Sequence, residues 1–212
     1  MYAETGRSPW RPWRSALAQL LAALLAGCAH APPAAVAGGG GDAALGQVVS
    51  PDNPDRALLA TAIFMETNRA RLANRVPPLG RLPELDSAAD EQALHMALSL
   101  HTEHSNPMPG EQTPADRVAR AGFRAKRVAE NAIMWPAHPP GEPDRAAYTY
   151  SALAAAIVQG WMDSPGHRAN LLNPAFTYLG CAARFARTGL GYPRVFATQV
   201  FALPSGADTG QK

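Results

Sequence analysis

Six histidines and two cysteines are the side chains of this 212-residue sequence best suited to bind a metal or move a proton, and their settings differ. His167 has the most telling one. It lies in the run Trp161-Met162-Asp163-Ser164-Pro165-Gly166-His167-Arg168-Ala169-Asn170, between the end of one amphipathic helix and the start of the next. Ser164 is placed as an N-cap and Pro165 as the first helical residue, so His167 falls in the first turn of the second helix. The positive end of the helix dipole favours neutral imidazole there, the form that accepts a proton or binds a metal. The alternative is a hydrogen bond across the turn and no chemistry. His104 closes a row of Ala89, Ala93, Ala97 and Leu100 at helical spacing, which predicts that it ends an apolar ridge. Glu130 interrupts a strand-like run from Val128 to Met134, sharing a face with Val128 and Ala132, while Ala129, Asn131 and Ile133 take the other. A carboxylate in that position is costly to bury without a partner.

The remaining candidates carry less. His95 and His101 read as helix-surface residues, with only helical spacing to suggest a metal role for His101 beside His104, and His30 and His138 fall in loops with no assigned role. Cys181 sits on the apolar side of a strand pattern and reads as a buried, inert thiol. There is no nucleophile elbow, no cysteine beside a histidine, no His-Glu-x-x-His and no phosphate loop.

The elements that must position these residues follow from periodicity and punctuation. Asn53-Pro54 is expected to open a helix lined by Leu59, Ala62, Ile63, Ala70 and Ala73 and closed by Pro77-Pro78. A second helix is expected from Asp86 or Ser87, with Ser87 and Asp90 spaced as a capping box. Thr113-Pro114-Ala115-Asp116 gives a third helix its cap, first-turn proline and acidic third position, and Gly122 ends it. Pro136 to Arg145 reads as a loop. Tyr150, Leu153, Ile157 and Trp161 form the buried stripe of a helix from about Ala146 to Met162. Tyr178–Ala186, with Leu179, Cys181, Ala183 and Phe185 on its apolar face, and Arg194–Leu203 form an antiparallel hairpin across Gly189-Leu190-Gly191. Helices with a few strands between them predict an α+β layered domain.

With 47% hydrophobic and 17% charged residues, the composition fits one globular domain with terminal extras. Lys plus Arg is 19 and Asp plus Glu is 17, but residues 1–28 hold Arg7, Arg11 and Arg14 against Glu4, leaving 16 of each sign. No Lys/Arg run interleaved with aromatics occurs, which argues against nucleic acid as a partner. Residues 1–27 read as a secretory signal, since the apolar run from Ala16 to Leu25 is too short to cross a bilayer. Leu25-Ala26-Gly27-Cys28 resembles the lipobox of bacterial lipoproteins, which implies cleavage before Cys28 and lipid on its sulfur. Residues 28–52 then form the lipidated cysteine and a flexible Ala/Gly/Pro tether, 53–204 the folded domain and 205–212 a polar tail. The implied place is the cell envelope, outside the cytoplasm. Ala29, where inner-membrane retention is associated with aspartate, favours an outer membrane facing the periplasm if two membranes are present.

Asn68-Arg69, His104-Ser105, Asp116-Arg117 to Ala121-Gly122, Glu130-Asn131, Trp161 to Asn170 with Leu171-Leu172, and Thr198-Gln199-Val200-Phe201 together resemble the CAP family of cysteine-rich secretory proteins, venom antigens and plant pathogenesis-related proteins, most closely its bacterial branch. The resemblance covers residues 55 to 203. It implies a three-layer α–β–α sandwich with a small, mainly antiparallel sheet. It also implies a cleft lined by His104, Glu130 and His167, with Asn131 and Ser164 beside them, and His104 and His167 as ligands of a divalent metal such as zinc. Two imidazoles and a carboxylate with an open fourth position would suit zinc. The sequence departs from the eukaryotic pattern at Ser164, where a second glutamate is expected, and neighbouring Asp163 projects about 100° away on a helix. The disulfides of many relatives are also missing. Structural or weakly metal-binding use of the cleft is favoured over catalysis. Three functions follow: an envelope binding module for a lipid or cell-wall ligand, a metal-dependent hydrolase using His104, Glu130 and His167, or a structural or protein-interaction role at the envelope.

Overall fold

Pro83, Pro114 and Pro165 each open a helix, where a missing N–H costs nothing because first-turn donors have no intrahelical acceptor. The computed structural model describes residues 41–139, 147–189 and 191–206. The expected secretory signal, Cys28, His30, most of the expected tether and the residues beyond 206 lie outside the described residues. Among those described, the order is α1 (Gly41–Leu45), α2 (Arg56–Ala73), β1 (Gly80–Arg81), α3 (Pro83–Ser99), α4 (Pro114–Arg120), β2 (Ala125–Pro136), α5 (Tyr150–Asp163), α6 (Pro165–Leu171), β3 (Tyr178–Arg187) and β4 (Pro193–Pro204).

The sheet order is β1-β3-β4-β2. β3 and β4 pair antiparallel from Tyr178↔Ala202 to Arg187↔Pro193, and β2 pairs antiparallel with β4 through Glu130↔Val200 and Asn131↔Gln199. Two-residue β1, absent from the sequence reading, adds in parallel to the start of β3. Because side chains alternate along each strand, the sheet buries both faces. One face packs Leu59 and Ile63 of α2, Leu153, Ile157 and Trp161 of α5 and Leu171 of α6 against Leu179, Cys181, Val195, Ala197 and Phe201. The other packs Leu85, Ala89 and Ala93 of α3 and Val118 of α4 against Ala182, Val200 and Ala202. The expected α–β–α sandwich is therefore present, with β2 as an edge strand. Cys181 is buried without a disulfide partner, and burial pushes its thiol well above the usual range, as an inert structural thiol should behave.

Several boundaries differ from the sequence reading. The N-cap of α2 is Asp55, whose carboxylate accepts from the Leu58 N–H, so Asn53-Pro54 precedes the helix. Helix α3 starts at Pro83 rather than near Ser87, and Ser87 and Asp90 form no capping box. Asp86 instead accepts the Cys181 N–H at 2.9 Å and pairs with Arg81. Helix α3 also ends at Ser99, with Leu100 in left-handed backbone at φ 60°. His104 therefore lies beyond the ridge it was expected to end, in the segment between α3 and α4, and exposed His101 lies outside the helix too. Strand β2 runs two residues further than the apolar run at its C-terminal end, taking in Pro136. The expected tether is not free throughout. Residues 41–45 are helical, Val48 bridges Thr149, and Val49 is buried with its N–H on the Tyr148 carbonyl.

Candidate functional site

A carboxylate on an apolar strand face needs a partner, and helix α4 supplies one. Thr113 accepts the Asp116 N–H while Asp116 accepts the Thr113 N–H, the reciprocal cap read from the sequence, and this fixes the first turn of the helix. Arg117 follows and is fully buried, its Nη2 donating to Glu130 Oε2 at 2.5 Å. The other carboxylate oxygen of Glu130, Oε1, is 2.9 Å from His104 Nδ1. Since the ionised carboxylate can only accept, Nδ1 carries the proton and the free nitrogen of neutral His104 is Nε2. The side chain of His104 is 54% exposed while that of Glu130 is 1% exposed, so the ring spans from a buried ion pair to solvent.

Asn131 points to the opposite face of the sheet. Its amide donates to the His167 carbonyl at 3.0 Å and to Gln199 at 3.2 Å, while Asn170 donates to the Asn131 side-chain oxygen at 3.0 Å and to the Glu130 carbonyl at 3.3 Å. Helix α6 is thereby fastened along the outer edge of β2 by side chains rather than by a strand ladder. His167 occupies the first turn of α6, as expected, but Ser164 provides the cap position without a side-chain cap bond, and its N–H goes to the Trp161 carbonyl. Asp163 takes a hydrogen bond from Gln159 along α5, so it does not replace the missing second glutamate. His104 and His167 thus approach β2 from opposite layers.

The two imidazoles titrate in opposite directions. The hydrogen bond to Glu130 raises the pKa of His104 above its ordinary 6.5, against a smaller opposing effect of burial. Burial lowers that of His167, and the charge of His104 lowers it further. These residues do not form a three-ligand centre. Both Glu130 oxygens are engaged, and among the described residues no group of three or more His, Cys, Asp or Glu could hold a metal ion. With Oε1 on His104 and Oε2 on Arg117, the Glu130 carboxylate orients the His104 ring. A carboxylate on the far nitrogen is how metal-binding imidazoles are commonly aimed. His104, through Nε2, and His167 are the two imidazoles that would hold a divalent cation there.

A sequence profile of the CAP family, the cysteine-rich secretory protein family, matches residues 64–201. The chain belongs to the CAP family. Its CAP domain is 28% identical over 114 residues to YkwD of Bacillus subtilis (strain 168), an alignment covering 54% of this chain and 38% of that protein. An extracellular protein containing an SCP domain from Bacillus anthracis str. Ames is 26% identical with a TM-score of 0.51, covering 74% of this chain and 44% of that one. The chain thus spans less than half the length of both. An outer surface protein from Borrelia burgdorferi, 15% identical, shares the fold with a TM-score of 0.52 over 76% of this chain and 99% of that one.

The CAP domain also uses residues that the sequence reading left without a role. Arg117 was visible only as part of a family segment, although the need of Glu130 for a partner pointed to some buried cation. Asn170 and Gln199 form the network around Asn131, with Gln199 donating on to Thr67 of α2. Arg71, fully buried, donates to the carbonyls of Pro77, Leu171 and Asn173, tying α2 to the end of α6. No periodicity marks such polar side chains as buried.

Proposed function

We propose that this protein is an envelope-anchored CAP-domain lipoprotein, a non-catalytic binding module whose cleft between His104 and His167 holds a divalent cation, with zinc the best fit, and receives a lipid or cell-wall ligand. The observation that carries the reading is the engagement of Glu130 on both oxygens by Arg117 and His104. It leaves Nε2 as the free nitrogen of a half-exposed His104 while occupying both oxygens of the buried Glu130 carboxylate. A bound cation would supply a Lewis-acidic anchoring point for an oxygen-bearing ligand. His167 favours the neutral form that such an anchor needs. A separate open hollow of about 500 Å³ between α4 and β2, lined by Val118, Phe123 and Val128 but also by Arg124 and Ser205, includes none of the cleft residues.

The anchoring rests on the Leu25-Ala26-Gly27-Cys28 run. It agrees with relatives described as an extracellular protein and an outer surface protein. No described helix is long and apolar enough to cross a membrane. The purified protein should bind zinc at neutral pH by titration calorimetry, with His104→Ala and His167→Ala each abolishing the uptake. Wild-type protein that takes up no zinc, or variants that bind it as well as wild type, would remove the cation from this reading. Cys28→Ala should move the protein from membrane to soluble fractions; unchanged partitioning would remove the anchor. Zinc-dependent turnover of peptide or cell-wall substrate, lost in the two histidine variants, would instead favour the hydrolase.

A further inference from the structure

His104 lies in the segment between α3 and α4, which forms neither helix nor strand up to Pro114, so something other than a backbone ladder must hold its ring against Glu130. Three consecutive carbonyls in that segment are gripped by two fully buried side chains from the two flanking helices. Gln92 of α3 donates from Nε2 to the Glu103 carbonyl at 2.6 Å and to the Ser105 carbonyl at 3.4 Å. Between them, the His104 carbonyl accepts from Nη1 and Nη2 of Arg117 at 3.4 and 3.3 Å. The Gln92 side-chain oxygen has no hydrogen-bond partner although it is buried. Turning the amide over would place that oxygen against two carbonyls, so its orientation is dictated by the loop it holds. A second clasp lies beside it. His95, one turn further along α3, is 2.9 Å from Glu103 Oε1, and Ser105 donates to Glu103 Oε2 at 3.0 Å.

We propose that Gln92, supported by His95, is a positioning residue of the cleft: it fixes the carbonyls on either side of His104 so that the His104 ring meets Glu130 and presents Nε2 to a ligand. The inference rests on His104 being the cleft's donor and extends the site to a helix face that does not touch it. Arg117 has a double duty, since it binds both the Glu130 carboxylate and the His104 carbonyl, whereas Gln92 serves the loop alone. Gln92 is therefore the residue whose loss should loosen His104 while leaving the ion pair intact.

The test compares wild type with Gln92→Met, which keeps the volume and removes the donor, and with His95→Gln, which keeps a donor near Glu103. The first readout is the Nδ1–H proton of His104 in a long-range nitrogen–proton spectrum of metal-free protein, slow to exchange while the ring is held on Glu130. It should be lost in Gln92→Met and kept in His95→Gln. The second is zinc affinity, expected to fall about tenfold in Gln92→Met, the usual effect of removing an outer support of a metal ligand. If Gln92→Met does not fold, His95→Ala takes its place, with partial loss of the Nδ1–H signal expected. A folded Gln92→Met that keeps the protected Nδ1–H, or a folded His95→Ala that keeps it in full, overturns the proposal. A wild type that binds no zinc defeats the cation reading but leaves the proton signal to judge the positioning role.

Discussion

The Glu130 carboxylate favours protonated His104, whereas burial, and after it the charge of His104, disfavours protonated His167, and the two rings shift in opposite directions for those reasons. The raised pKa of His104 contributes stability that is fully present below the unfolded value of about 6.5 and is lost as pH rises through the folded value. The lowered pKa of His167 does the reverse: its contribution is full above the unfolded value and is lost as pH falls through the folded one. In metal-free protein, His104→Ala should make stability rise more steeply with pH above about 6.5, and His167→Ala should flatten the rise below it. Urea unfolding over a pH series would read both slopes, and identical changes in the two variants would contradict the assignment. The buried pair behind His104 makes a larger demand. Arg117→Met strands the Glu130 charge and should cost about 3–5 kcal/mol, while adding Glu130→Leu should recover much of the loss. Equal losses in the single and double variants would mean that the pair is not coupled as the 2.5 Å contact implies.

At the scale of elements, two helix starts that look alike in sequence differ in what their caps do. Thr113→Ala removes a reciprocal cap and should cost about 1 kcal/mol in chemical denaturation, whereas Ser164→Ala should stay within about 0.5 kcal/mol because that side chain caps nothing. The α3–β3 contact is less forgiving. A Cβ on Gly180 would stand 2.0 Å from the Leu85 carbonyl carbon, so Gly180→Ala should force the layers apart and cost about 1–3 kcal/mol or more. These contrasts also show where sequence reasoning works. The Thr113 box, the Trp161 stripe and the β3–β4 hairpin were legible because their signals are local or periodic. Helix α3 was placed late because Ser87 and Asp90 imitate a cap while Pro83 marks the start. The error also carried His104 onto a ridge that ends at Ser99. Arg117 escaped as the partner of Glu130 because it is thirteen residues away and no local pattern says which cation will arrive, while His104, twenty-six residues away, came beside Glu130 only through family resemblance. The cleft residues themselves came from family resemblance, and the structure adds that Glu130 is engaged by both His104 and Arg117.

For the molecule as a whole, the folded body reaches further toward the N-terminus than composition suggested. The side chain of Val49 is buried against the helical layer containing α2 and α5, and its neighbour Val48 bridges Thr149. A chain starting at residue 41 should therefore be more stable than one starting at residue 53 by roughly 1.5–3 kcal/mol, the usual worth of a buried valine side chain. Matching unfolding curves for the two would mean that residues 41–52 merely rest on the surface. The lone cysteine of the described body has a different consequence. Cys181 forms no crosslink and sits where oxidants and alkylating reagents cannot reach it. The fold accordingly owes nothing to the redox potential around it and should form equally well in reducing or oxidising surroundings. A cysteine introduced at exposed Thr102, two residues from His104, would then be the one quick-reacting handle on the described domain, a clean attachment point for a fluorophore beside the cleft.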